Sequence, residues 1–162
     1  MHLLCYIRAM LLDSTLVPET IIKPRSFAGL MSVYESNYLR LLNLIPEIER
    51  LDGCYRSHVA GDCDLHLDIL ERERYTLTMS MTYYFANESG LVADPDMLVR
   101  VYLDGQVAEA MSYGIDNRHV QFRRLFRAHR EELGERWSRN VLLNKWLEYL
   151  MDQGHLILEQ LA

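Results

Sequence analysis

Residues 75–85 read Tyr-Thr-Leu-Thr-Met-Ser-Met-Thr-Tyr-Tyr-Phe. Tyr75, Leu77, Met79, Met81, Tyr83 and Phe85 take the odd positions; Thr76, Thr78, Ser80, Thr82 and Tyr84 take the even ones. Successive side chains of an extended strand point to opposite faces. The stretch is therefore a strand with one apolar face and one hydroxyl-bearing face. Its β-branched and aromatic content suits a pleated surface. A strand with one wet face belongs to an antiparallel sheet, and its neighbours in sequence supply the pairing strands.

On the N-terminal side, Leu65, Leu67 and Ile69 alternate with Asp64, His66 and Asp68, which makes a second half-buried strand. A turn at residues 71–73 places Leu67 opposite Leu77 and Leu65 opposite Met79. A short strand over residues 55–60 precedes it, with a turn at Gly61-Asp62. On the C-terminal side, residues 86–96 contain Asn, Gly and Asp-Pro and read as a loop. Residues 97–103 form a fourth strand, and Asp104-Gly105 is a hairpin signal. Residues 106–113 return as a fifth strand, which sets Arg100 opposite Glu109, Tyr102 opposite Val107 and Leu98 opposite Met111.

Helices flank this block. Ser26 is a suitable N-cap. After it, Leu30, Tyr34, Asn37, Tyr38, Leu41, Leu42 and Ile45 recur at helical spacing until Pro46 and Asp52-Gly53. A second helix is expected over residues 119–133, interrupted by Gly134. A third runs over residues 136–153 and carries Trp137, Val141, Leu142, Trp146, Leu147, Tyr149 and Leu150, with Gly154 at its C′ position. The tail from residue 156 to 161 is read as a further turn. The order gives an α+β fold: a five-stranded, mainly antiparallel sheet with an N-terminal helix and two C-terminal helices packed on one face. Residues 1–25 form a loose lead-in, and residues 26–162 one domain.

The totals agree. The chain has 162 residues, 49% apolar and 25% charged, which suits a single globular domain. Its net charge is -6, so phosphate backbones repel it and general nucleic-acid binding is not expected. The three cysteines, Cys5, Cys54 and Cys63, are odd in number and form no C-x-x-C pair. That argues for reduced thiols in the cytoplasm rather than a disulfide framework or a zinc site. The apolar N-terminal run is broken by Arg8 and does not read as a signal peptide. No stretch is apolar enough to span a membrane as a helix. Met10 offers a second start.

The chain lacks the glycine-rich nucleotide loops, the G-x-S-x-G elbow and the H-E-x-x-H zinc helix. Two constellations remain. Asp62, Asp64, His66 and Asp68 occupy the even positions of one strand, and imidazole with carboxylates suits a divalent metal or acid–base work. Asp64, His66 and Asp68 are the candidate metal ligands, joined by His58 only if the first hairpin loop is odd-numbered. Same-face side chains lie about 7 Å apart along a strand, which is wide for one ion. The second constellation is basic. Residues 118–139 hold seven of the seventeen Lys and Arg residues, and Arg123, Arg127 and Arg130 recur as one helical stripe with Arg124 beside it. Guanidinium forks suit carboxylate or phosphate. The bland alternatives are a solvated strand face and a solvated helix face balanced by Glu131, Glu132 and Glu135. The abundance of Tyr and Met reads as core packing.

Three segments carry a family resemblance: Glu35-Ser36-Asn37-Tyr38 with Leu41, Leu42 and Pro46; Val99-Arg100-Val101-Tyr102-Leu103-Asp104 with Val107-Ala108-Glu109; and Asn140, Trp146-Leu147 and Gly154-His155. Together they resemble the YqiB-like family, a proteobacterial domain of unknown function, over about residues 27–155. The family's Tyr-Pro and its His followed by Asp-Glu-Lys before the last helix are not matched by residues 128–136, where only Glu135-Arg136 resembles the final acidic-basic pair. The resemblance implies a bacterial domain and carries no activity to transfer.

The reading that follows is a non-catalytic binding or regulatory module without a cofactor. It recognises a protein partner or an anionic small molecule through Arg123, Arg124, Arg127 and Arg130; a homodimer is left open. The alternative is a small metal-binding protein or enzyme using Asp64, His66 and Asp68. RNA binding through Arg123, Arg127, Arg130 and Trp137 ranks third. Like charges at i, i+4 weaken a helix slightly, so an arginine stripe has a small cost and points to a ligand. Arg123→Glu with Arg127→Glu should leave the thermal melt nearly unchanged and abolish capture of the native partner from lysate. Loss of a bound metal in Asp64→Asn with Asp68→Asn, with no effect of the arginine pair, would transfer the function to the aspartate strand.

Overall fold

The structure, a computed structural model, describes residues 25–88, 90–114 and 132–158. Helix α1 (Phe27–Leu44) begins where Ser26 Oγ accepts the Gly29 N–H at 3.1 Å. A 3₁₀ turn (Ile48–Arg50) follows, and five strands then run in sequence: β1 (Cys54–Ser57), β2 (Leu65–Arg72), β3 (Thr76–Asn87), β4 (Gly90–Tyr102) and β5 (Val107–Gly114). They pair antiparallel in the order β1-β2-β3-β4-β5, a simple meander. Helix α2 (Glu132–Gln153) closes the fold. The α+β class is as expected. Among the described residues, however, one helix precedes the sheet and one follows it. The helix expected over residues 119–133 lies outside the described residues except for its last two, which belong to α2. Gly134 does not interrupt that helix: it is buried within it, and a single glycine costs only about 1 kcal/mol there.

The alternation of β3 decides the core. Leu77, Met79, Met81 and Tyr83 are fully buried, with Leu65 and Leu67 of β2, Met97, Val99 and Val101 of β4, and Ala108 and Ala110 of β5 on the same side. Helix α1 covers this side with Tyr38, Leu41 and Leu44, and α2 with Leu143, Trp146, Leu147 and Leu150. The alternation does not bury every odd position of the stretch: Tyr75, just before β3, is 48% and Phe85 36% exposed.

Several details of register differ from expectation. Leu67 faces Met81 and Leu65 faces Tyr83, not Leu77 and Met79. Strand β2 runs on to Arg72, and the turn at Glu73, whose N–H reaches Thr76 O, comes later. The face assignment survives because the displacement is an even number of residues. A bulge between Ile69 and Glu71 leaves Leu70 60% exposed. Residues 86–87 and 90–96 are strand rather than loop: Ala86 pairs with Leu91 and Thr82 with Asp96. At the last hairpin, Arg100 faces Glu109 and Tyr102 faces Val107 as expected, but a bulge moves Leu98 opposite Ser112 and away from Met111. The first hairpin loop is odd-numbered, since Ser57 pairs with Leu65. The tail to Leu158 is not helical; Ile157 N–H bonds Leu44 O instead.

Strand β5 is an edge, and exposed edges invite unwanted pairing. Side-chain amides cap it. Ala110 N–H donates to Asn140 Oδ1 at 2.8 Å, and Asn37 Nδ2 reaches Ala108 O at 3.4 Å. Asn144 Nδ2 donates to Asn37 Oδ1 at 3.0 Å, tying α1 to α2. Both Asn37 and Asn140 are fully buried, so the amides stand where a further strand would stand.

Trp146 is 2% exposed and its ring meets Tyr83 edge-on at 5.6 Å. Trp146→Ala should cost about 3–5 kcal/mol, read as a lower urea midpoint. Leu39→Ala, at a 61% exposed position of α1, should shift the midpoint little; equal effects would contradict this packing.

Candidate functional site

The expected metal strand is spread out. His58 Nδ1 lies 2.5 Å from Asp64 Oδ1, with Arg56 Nε at 3.9 Å from the same carboxylate. The hydrogen bond from His58 holds the Asp64 carboxyl below its ordinary range. The odd loop thus does bring His58 to Asp64. His66 instead packs on the Tyr84 ring at 4.9 Å, and Asp68 faces Cys54, whose thiol it pushes up. Among the described residues, no three His, Cys, Asp or Glu side chains are gathered closely enough to hold a metal ion. Arg123, Arg124, Arg127 and Arg130 lie outside the described residues.

Asp62, read as part of that polar face, turns inward. The loop after Ser57 passes through Gly61 at φ +92 and delivers the Asp62 side chain, 5% exposed, to the core side. At the far end of the chain, Gly154 at φ +89 ends α2. Its N–H bonds Met151 O and that of His155 bonds Leu150 O, a Schellman closure that aims His155 inward. The two ends meet. His155 Nε2 is 3.2 Å from Asp62 Oδ2 and its Nδ1 is 3.0 Å from Ser57 Oγ. Tyr83 OH donates to Asp62 Oδ2 at 3.0 Å, and Tyr149 OH to Oδ1 at 3.1 Å. Cys63 N–H adds a further bond at 2.8 Å. With Asp62 as an all-acceptor carboxylate, Nε2 carries the imidazole proton toward it and Nδ1 accepts from Ser57.

This Ser57–His155–Asp62 chain has the connectivity of a nucleophile, base and orienting acid. Its setting is different. Ser57 is 5% and His155 3% exposed, and Ser57 Oγ accepts the Leu156 N–H at 3.1 Å. A reacting carbonyl needs about 3 Å access to the hydroxyl, and here the tail occupies that approach. The arrangement closes a buried charge and clamps residues 155–157 to β1 and α1. The sequence contained one signal for it, the Gly154-His155 pair after the last helix.

A second carboxylate is open. The first turns of α1 present Phe27, Leu30, Met31 and Tyr34 on one stripe, since residues three and four apart share a helix face. The β4–β5 hairpin brings Tyr102, Val107 and Glu109 opposite them, and α2 contributes Arg136. These residues line a pocket of about 550 Å³, within the range of small-molecule sites. Tyr34 OH donates to Glu109 Oε2 at 2.9 Å, and Tyr102 OH to Oε1 at 2.8 Å. Arg100, the cross-strand neighbour of Glu109, turns instead to Glu71 Oε2 at 3.1 Å and Thr78 Oγ1 at 3.1 Å. The expected Arg100–Glu109 charge pair is therefore replaced by two tyrosine hydroxyls. Burial, then the Glu109 bond, pushes Tyr34 up to about 12, and the same two causes raise Tyr102. Sequence reading missed this pocket because its residues come from three separated segments.

A family model described as a protein of unknown function (DUF1249) matches residues 40–156. No curated protein and no solved structure matches the chain.

Burial also raises Tyr83 well above the ordinary tyrosine range, with Asp62 reinforcing it. Tyr34 and Tyr83 both have folded values above their unfolded ones, so the fold favours their neutral forms. Their contribution is fully present below pH about 10 and is lost as pH rises from there through the folded values. Stability should therefore fall steeply above pH about 10 in urea titrations. Tyr34→Phe should flatten the fall between pH about 10 and about 12; an unchanged slope would contradict the Tyr34–Glu109 geometry.

Proposed function

The chain belongs to the DUF1249 family, whose function is unknown, and on that premise we propose that it is a non-catalytic binding module whose ligand seat is the pocket between α1, the β4–β5 hairpin and α2. One observation carries the reading. Walls of Phe27, Leu30, Met31 and Val107 surround a single carboxylate that Tyr34 and Tyr102 hold in place. An apolar concavity with a few fixed polar groups is the usual form of a small-molecule site. The buried Ser57–His155–Asp62 chain favours a structural role for the most catalytic-looking residues.

The finer parts of the reading rest on sequence. We infer a bacterial, YqiB-like protein acting in the cytoplasm. Arg123, Arg124, Arg127 and Arg130 would form a separate surface for an acidic partner or anionic small molecule, and self-association into a homodimer belongs to the same proposal. No described helix is long and apolar enough to cross a membrane. Metal binding by Asp64, His66 and Asp68 stays the alternative; the His58–Asp64 contact is its one geometric support.

A library of small aromatic and aliphatic fragments, screened by amide NMR on the full chain, tests the seat. Binding should move the resonances of Leu30, Tyr34, Tyr102 and Val107, and Met31→Trp, which fills the pocket, should abolish those shifts. Fragments that cluster on β1 and β2 around His58 and His66, with none at the pocket, would overturn the reading.

A further inference from the structure

Resting on that pocket as a ligand seat, we infer its chemical class: a small apolar molecule carrying one protonated amine. Among the described residues, Glu109 is the one carboxylate of the pocket. Each of its oxygens accepts a hydroxyl, at 2.9 Å from Tyr34 and 2.8 Å from Tyr102. Both oxygens act as acceptors, as those of a carboxylate do. Both donors are neutral, and Tyr34 is held neutral to about 12 by burial and by Glu109 itself. They orient the charge without cancelling it.

The cation nearest in register does not cancel it either. Arg100 pairs with Glu109 along the backbone, yet its guanidinium is engaged by Glu71 and Thr78 and reaches toward Tyr102 rather than Glu109 itself. Among the described residues, none makes an ion pair with Glu109. A half-buried carboxylate beside apolar walls is costly until a counter-charge arrives. Each Glu109 oxygen still has acceptor capacity beyond the tyrosine bond, and an ammonium group supplies three donors.

The walls point the same way. Phe27, Tyr34 and Tyr102 are three aromatic side chains around one carboxylate, and aromatic faces attract cations. Phe27 is 72% exposed, a large apolar surface left at the rim. Leu30, Met31 and Val107 provide contact for the body of the ligand. Arg136 stands on the same wall, so a ligand with more than the single positive charge that Glu109 attracts is disfavoured, and the class is that of monoamines.

The test uses the full chain and three ligands of one shape: 2-phenylethylamine, 2-phenylethanol and 3-phenylpropionate. Each is titrated at neutral pH and low salt by calorimetry and amide NMR. The amine should bind about tenfold or more tighter than the alcohol, and the carboxylate weakest, because only the amine gains a charge-assisted bond to Glu109. Glu109→Gln should bring the amine to within about twofold of the alcohol and leave the alcohol unchanged. If the alcohol binds in the pocket as tightly as the amine, or the carboxylate binds best, the amine class is wrong and the pocket remains a ligand seat. If no ligand shifts the pocket resonances, both readings fall. The wild-type comparison needs no variant, so poor folding of Glu109→Gln does not protect the proposal.

Discussion

A carboxylate drawn out of water must find donors or a counter-charge, and the Asp62 side chain meets that constraint by gathering the fold around itself. It accepts from Tyr83 at the end of the core stripe, from Tyr149 of α2, from His155 after α2 and from the Cys63 backbone. Sheet, helix and tail share one acceptor. The hydroxyls of two buried tyrosines are satisfied there, so Tyr83 can pack on Trp146 and Tyr149 in the core with neither hydroxyl stranded. His155 then passes the connection to Ser57, which closes on the Leu156 N–H. Remove the carboxylate, and four donors from four parts of the chain lose their common partner.

The fold was legible wherever one local rule acts alone. Alternation in β3 identified Leu77, Met79, Met81 and Tyr83 as core, and Asp104-Gly105 located the last hairpin with Arg100 opposite Glu109. Ser26 and Gly154 marked helix ends correctly, because capping is decided within a few residues. Register was less legible. Leu70 bulges out of β2, and the strand continues through charged residues that resemble a turn, so Leu67 meets Met81 rather than Leu77. Asn87 and Gly90 resemble loop residues, yet they are paired ends of a long hairpin. Polarity marks exposure to water, and an exposed strand satisfies it as well as a loop does.

The sites show the same division. His66 and Asp68 share a strand face as their spacing requires, but each meets a different neighbour, Tyr84 or Cys54. Asp62 broke the pattern because a positive-φ glycine precedes it, and the partner that explains it is 93 residues away. Glu109 was read as half of an ion pair. Its backbone position was right, but its side chain answers to Tyr34 of α1, a contact across 75 residues that no local period encodes. Long-range hydrogen bonding between single side chains is the part of a structure that one sequence does not display.

The buried carboxylate and the half-buried one thus divide the labour of the molecule. Asp62 is closed on protein donors and holds the tail to the sheet. Glu109 is anchored on one side by two hydroxyls and faces an apolar pocket on the other. The most direct measurement of this division is side-chain carboxyl ¹³C NMR of the full chain during titration with 2-phenylethylamine. The Glu109 carboxyl resonance should move with saturation while that of Asp62 stays fixed. Movement of Asp62 with Glu109 unmoved would contradict it.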